Sequence, residues 1–351
     1  MNRLGSAFRR VGVVLGVVAL VGLAGCGSNN NNETSSTTSG SQTTQSGQAG
    51  EISMRAGLND PNDVTIAVLQ YLPGSITVEA GTTVSWTIAG PEPHSVTFLP
   101  PGQTMPPPGS DTKLFAPTPA ANGVYDGTSL VNSGLIPQGP QAAPPFKLRF
   151  DTPGKYTYQC VIHPQMVGTV EVVAKGAKAD TQADVQSRGD SELKQWLAEG
   201  EAAKKTFTST PPTKTTNSDG TTTWTIEMGT STPHTDILAY APVPATIKAN
   251  DKVVFVNNSG APHTASFAGK QTVPQDPESP QAQTPAPGPS PQTLNATDFF
   301  NTGTLPPNAP PGAGPPLAAR SFTFTVPTAG TYNYVCIYHV SSGMAGTINV
   351  S

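Results

Sequence analysis

From Ile76 to Trp86 apolar and polar positions alternate: Ile76, Val78, Val84 and Trp86 share one face on either side of a turn at Ala80-Gly81. That period of two is the signature of half-buried β-strands. Tyr156, Tyr158 and Cys160 alternate in the same way, and both tyrosines read as core packing. A single helical candidate spans 190–205, with Asp190 as its cap, Leu193, Trp196 and Leu197 on one face and Lys204 and Lys205 at its end. Its Trp196 face is expected to dock against a domain. The Thr/Pro/Ser run from Thr206 to Thr223 reads as coil, and the Pro-dense runs near 106–108 and 285–289 read as extended surface loops.

The strand pattern occurs twice. At one offset of 169 residues Tyr71 meets Tyr240, Val84 meets Val253, Trp86 meets Phe255, His94 meets His263, and Asn132-Ser133-Gly134 meets Asn301-Thr302-Gly303. After a seven-residue insertion, Gly154-x-Tyr156-x-Tyr158-x-Cys160 matches Gly330-x-Tyr332-x-Tyr334-x-Cys336. After two more residues, Gly168-Thr169-Val170 matches Gly346-Thr347-Ile348. A repeat this long is a duplicated domain and not a solenoid unit. The predicted organisation is a domain at 51–174, a linker at 175–221 and a second domain at 222–351.

Composition supports the all-β class. Only 12% of the 351 residues are charged, and 35 Gly and 37 Pro punctuate the runs of Val, Ile, Thr, Tyr and Phe. The N-terminus has its own character: Arg3, Arg9 and Arg10 precede an apolar stretch from Val11 to Leu23, too short for the roughly 20 residues that span a bilayer. Leu23-Ala24-Gly25-Cys26 resembles a bacterial lipobox, which implies removal of residues 1–25 and diacylation of Cys26. Residues 26–50, nearly all Asn, Ser, Thr, Gly and Gln, are expected to be a disordered tether. Without the three N-terminal Arg, the net charge moves from −4 to about −7. No basic patch suggests nucleic acid.

Each half also carries one metal-binding pattern: His94 with Cys160, His163 and Met166, and His263 with Cys336, His339 and Met344. Two imidazoles, a thiolate and a weak thioether form the donor set of a blue-copper electron-transfer site. Soft sulfur suits Cu(I) and nitrogen suits Cu(II), so a rigid mixed set serves both states with little rearrangement. With Cys26 assigned to lipid, a Cys160 to Cys336 disulfide is the competing use of the two remaining thiols.

On these motifs each half, about 51–174 and 222–351, resembles the plastocyanin/azurin-like cupredoxins. The resemblance implies two tandem Greek-key β-sandwiches, each holding copper at one end, with His94 or His263 as first ligand and the Cys-x-x-His loop and its Met supplying the rest. Many members carry Asn directly after the first His, where Ser95 and Thr264 stand here, which leaves the two potentials open and free to differ.

Paired domains of this kind also occur in copper enzymes, and counting histidines tests that. A trinuclear centre uses about eight imidazoles and a type 2 copper three, whereas of five histidines only His234 remains after four are assigned, and it reads as a surface loop residue. The expectation is an electron carrier and not an enzyme: extracytoplasmic, lipid-anchored to the bacterial cell membrane, with two type 1 copper ions and redox proteins such as a cytochrome or oxidase as partners. Copper sequestration or delivery is the alternative.

Overall fold

Strands dominate the computed structural model, which describes residues 50–108, 110–136, 143–274, 276, 279–287, 291–308 and 315–351. The signal segment, Cys26 and all of the tether except residue 50 lie outside the described residues. The first half contributes β1 (Glu51–Asn59), β2 (Ile66–Leu72), β3 (Ser75–Glu79), β4 (Thr82–Ile88), β5 (Thr97–Phe98), β6 (Val124–Tyr125), β7 (Val131–Asn132), β8 (Phe146–Phe150), β9 (Gly154–Gln159) and β10 (Val167–Val173). Helix α1 (Gln182–Ser209) follows. The second half contributes β11 (Lys214–Thr216), β12 (Thr222–Ser231), β13 (Thr235–Ala241), β14 (Ala245–Ile247), β15 (Lys252–Asn257), β16 (Ser266–Phe267), β17 (Gln292–Thr293), β18 (Phe300–Asn301), β19 (Ser321–Thr325), β20 (Gly330–Val335) and β21 (Ala345–Val350).

The duplication is visible strand by strand. In the first half the sheet order β2-β1-β4-β8-β6 faces β3-β10-β9-β5-β7, and in the second β13-β12-β15-β19-β17 faces β14-β21-β20-β16-β18. Inward-facing residues of the two sheets meet in aromatic cores. Trp86 packs against Tyr158 at 5.3 Å between ring centres and against Phe98 and Phe150, all fully buried. Phe255, at the Trp86 position, packs against Tyr334 at 5.1 Å and against Phe324.

The two sandwiches are not beads on a linker. Strands β2 and β13 pair antiparallel, Ile66 with Ile237, Ala67 with Asp236 and Val68 with Thr235, which fuses the front sheets of both halves into one. Ala67 and Asp236 are themselves counterparts at the 169-residue offset, so the pairing is self-complementary, as in an isologous dimer. Being central in that sheet, β2 is buried along its whole length.

Helix α1 lies over this seam and is longer than the sequence pattern suggests. It begins at Gln182 and is capped by Thr181, whose hydroxyl and backbone exchange hydrogen bonds with Asp184 in a capping box. Asp190, the expected cap, sits in mid-helix and pairs with Arg55 at 2.6 Å. Gly189 beside it is a point of close approach to the backbone of Leu72. Gly200 serves the same purpose: a Cβ there would lie 2.5 Å from Ile66 Cγ2 and 3.3 Å from Thr235 Oγ1, on the two seam strands. Trp196 docks as expected, with Leu193 and Leu197, on Val68 and Leu72. The run after Thr206 is not all coil, because the helix continues to Ser209 and β11 pairs with β12.

His234 is half-buried and is part of this clamp. Its ring stacks on Trp196, 4.9 Å away and 10° from parallel, and Nδ1 lies 2.9 Å from Glu199 Oε2. Among the described residues no helix is long and apolar enough to cross a membrane.

Candidate metal centres

Each centre forms where a first-ligand loop meets the turn between the last two strands of the back sheet. His94 is held by bridging Ile136, whose N–H donates to the His94 carbonyl, and His263 bridges Leu305 in the same way. Cys160 follows β9 and Cys336 follows β20. Both turns close on themselves: Cys160 N donates to the Met166 carbonyl and Met166 N to the His163 carbonyl, and Cys336, Met344 and His339 repeat the pattern. Short loops braced at both ends fix the direction of the side chains.

In the first centre His94 Nδ1 and His163 Nδ1 are 3.1 Å apart, and Cys160 Sγ is 3.5 Å from His163 Nδ1. In the second, His263 Nδ1 and His339 Nδ1 are again 3.1 Å apart, with Cys336 Sγ at 3.6 Å and 3.3 Å from them. Donors bound to one small ion at about 2.0 Å (N) and 2.3 Å (S) lie at most about 4 Å from one another, so both triads fit a shared ion. All six residues are buried, as are Met166 and Met344, which belong to the same buried clusters as Cys160 and Cys336. The cysteines are free and each belongs to its own triad, which leaves no disulfide between them. His234 joins neither group.

The surroundings explain how the donors are aimed. Ser95 N–H donates to Cys160 Sγ at 3.4 Å, and Thr264 N–H does so to Cys336 Sγ at the same distance. The hydroxyls of these residues bond across the ligand loops: Ser95 Oγ accepts from Val161 N and Thr264 Oγ1 from Ile337 N, both at 2.9 Å. Each hydroxyl continues inward, through Thr97 to Asn132 and through Ser266 to Asn301. The repeated Asn132 and Asn301 thus end a relay behind the metal pocket, a role the sequence repeat signals only as a match. Tyr71 and Tyr240 donate to the carbonyls of Ser95 and Thr264 at 2.5 Å, also unnoticed from sequence.

Glycine makes room for the first ligand. Gly57, at a β-bulge with φ of 65°, lies under His94, where a Cβ would sit 1.9 Å from Nε2. Gly229, at the matching bulge with φ of 75°, leaves 2.8 Å to His263 Nε2, which also contacts Ser259 Oγ at 2.7 Å.

Electrostatically the centres differ. Burial lowers His94 to about 3, and it holds His163 and His263 well below the usual imidazole value. Burial pulls His339 down too, but the carboxylate of Glu92 and the Cys336 sulfur outweigh it and raise it to about 9. Glu92 belongs to the first half, and its Oε2 lies 3.4 Å from His339 Nε2. Burial also pushes the Cys160 thiol up, a cost that metal binding removes by holding the thiolate.

Residues 59–173 match the family model for copper binding proteins of the plastocyanin/azurin family. Plastocyanin from Scenedesmus fuscus is 33% identical over 113 residues, which are 32% of this chain and 87% of that protein. Plastocyanin of Tetradesmus obliquus is 31% identical over 113 residues, 32% of this chain and 59% of that protein. Among solved structures, a mutant fern plastocyanin is 28% identical, covers 34% of this chain and 99% of its own and superposes with a TM-score of 0.22. A Cu(I) amicyanin mutant is 19% identical, with coverage of 35% and 82% and a TM-score of 0.23. With one repeat matching the model and nearly the whole length of a single-domain relative, the chain belongs to the plastocyanin/azurin family of copper-binding proteins.

Proposed function

We propose that the protein carries electrons outside the cytoplasm through two type 1 copper ions, one in each half, held by His94, Cys160, His163 and Met166 and by His263, Cys336, His339 and Met344. The observation that carries this reading is the repeated convergence, in buried pockets, of two Nδ1 atoms 3.1 Å apart with a cysteine sulfur 3.3–3.6 Å from one or both of them, all three donors lying within 4.8 Å of one another. Copper supplies a one-electron cycle at such a site. The chain's part is to keep the donors in place: Ser95 and Thr264 tie the loops and donate to sulfur, and the sandwich holds the histidines fixed.

Burial of every ligand favours electron transfer over copper delivery, because a cargo site must open to release its ion. With one histidine beyond the four ligands, and that one clamped to Trp196 and Glu199, the chain has no set of imidazoles for a catalytic copper. Acylation of Cys26 would hold the protein at the membrane surface, with residues 27–50 as the tether and redox proteins such as a cytochrome or an oxidase as partners.

Reconstitution with Cu(II) tests the reading. Two copper ions per chain, an intense blue absorption and reversible one-electron waves are expected. Uptake of Cu(I) without a blue band, followed by its transfer to an acceptor, would replace electron transfer with copper delivery.

A further inference from the structure

The two ligand loops meet at the seam, and each domain lends a segment to the other's centre. The loop before His94 carries Glu92 into the second domain, where Oε2 lies 3.4 Å from His339 Nε2 and Oε1 accepts a 2.5 Å hydrogen bond from Ser342 Oγ. Reciprocally, the loop before His263 packs Gly260 on Gln165, two residues past His163, so closely that a Cβ on Gly260 would be 2.8 Å from the Gln165 amide. The contact is dry: His163 and His339 are 2% and 3% exposed, Glu92 3% and Ser342 0%.

The reciprocity fails at one residue. The offset that pairs His94 with His263 pairs Glu92 with Ala261, so the first half supplies a carboxylate to the second centre and the second half has only a methyl group at the matching position. Among the described residues no acid forms an ion pair with His163.

Two consequences follow from chemistry alone. A carboxylate on the far nitrogen of a ligating imidazole makes it a stronger donor and adds negative charge, which favours the oxidised metal and lowers its potential. In addition, Glu92 is bonded through Pro93 to His94, so a continuous covalent chain leads from the first ligand set to a single 3.4 Å step onto His339. Electrons tunnel more readily through bonded atoms than across open gaps.

We propose that Glu92 couples the two centres, holding the second at a lower potential than the first and forming the bridge by which an electron passes from the second to the first. The inference rests on the two-copper reading. In the step, one electron leaves the Cys336 and His339 set, which goes from its Cu(I) to its Cu(II) state, and reaches the His94 and Cys160 set, which goes from Cu(II) to Cu(I). No bond breaks and no proton moves.

The test uses the full chain loaded with two copper ions, titrated by spectroelectrochemistry. Two separate one-electron waves are expected; Cys336→Ser should keep only the higher and Cys160→Ser only the lower. Glu92→Gln, which keeps shape and removes charge, should raise the lower wave and leave the higher one in place. That shifts the distribution between the sites by about tenfold, or about 59 mV for one electron. Flash reduction should show inter-site exchange slowed by about tenfold in Glu92→Ala. Ser342→Ala, which frees the Glu92 side chain without deleting it, should move the lower wave in the same direction by less. If Glu92→Gln leaves both waves in place or shifts both alike, the proposal is overturned. A wild-type chain that takes up no copper or shows no blue band sinks the two-copper reading itself, before Glu92 is touched.

Discussion

The first and second metal pockets have the same donors on the same strands, and they differ in what touches the far side of the imidazoles. In the first, His94 rests on the bulge glycine Gly57 and His163 has no acid paired with it among the described residues. In the second, His263 contacts Ser259 and His339 contacts Glu92. The second Cys-to-Met loop also has two more residues, taken up by a turn in which Ser342 N and Gly343 N donate to the carbonyls of His339 and Val340. Duplication kept the donors, the tyrosine anchors and the Asn relay. Divergence is concentrated one contact further out, where potential can change while the copper chemistry stays the same.

The sharpest way to break the comparison is to delete one thiolate. Cys160→Ser should remove the blue absorption of the first centre and leave that of the second, with copper per chain falling from two to one; loss of all colour would show that the centres depend on each other. Next in size is the seam. Trp196→Ala empties the space between α1, β2 and the His234 ring, and should cost about 3 kcal/mol in denaturant unfolding, in a single transition if the halves form one folding unit.

Gly57→Ala and Gly229→Ala compare the two bulges directly. Both strain a left-handed backbone, but the added methyl strikes His94 harder than His263, so copper affinity of the first centre should fall by about tenfold and that of the second by less, read by competition titration.

Acid and base act with opposite signs on His94 and on His339. In the metal-free protein His94 binds protons less readily folded than unfolded, so its contribution is complete above about pH 6.5 and is lost as pH falls toward about 3. His339 binds them more readily folded, so its contribution is present below about pH 6.5 and is lost as pH rises through about 9. Each group contributes at most about 1.4 kcal/mol per pH unit, and His163 and His263, held low by burial like His94, steepen the acid limb. Denaturation midpoints of the metal-free chain against pH should show both limbs, and Glu92→Gln should flatten the alkaline one only.

Much of this was legible in the sequence because the informative residues are close together or locked in register. Cys-x-x-His and its Met are neighbours, His94 and His263 share an offset, strand alternation gives the β class, and the family resemblance implies the sandwich. The start of α1 was not legible, because Asp190 has the look of a cap, whereas it sits in mid-helix and Gly189 before it is there for close packing. The run from Ile66 to Leu69 is apolar without alternation, which signals burial on both faces but not the strand that covers its edge. Glu92 had no local signal at all: it is one acid in a Pro-flanked loop, and its partner Ser342 is 250 residues away.

The self-complementary pairing of β2 with β13 bears on how such a molecule can arise. A one-domain ancestor can make the same pairing with a second copy of itself, as a homodimer with its two pockets related by symmetry. In that ancestor every mutation is expressed twice, so an acid gained at one pocket is gained at both and the two stay identical. Joining the copies in one gene lifts that restriction. A carboxylate can then be placed on one side of the axis alone, and a symmetric pair acquires a direction.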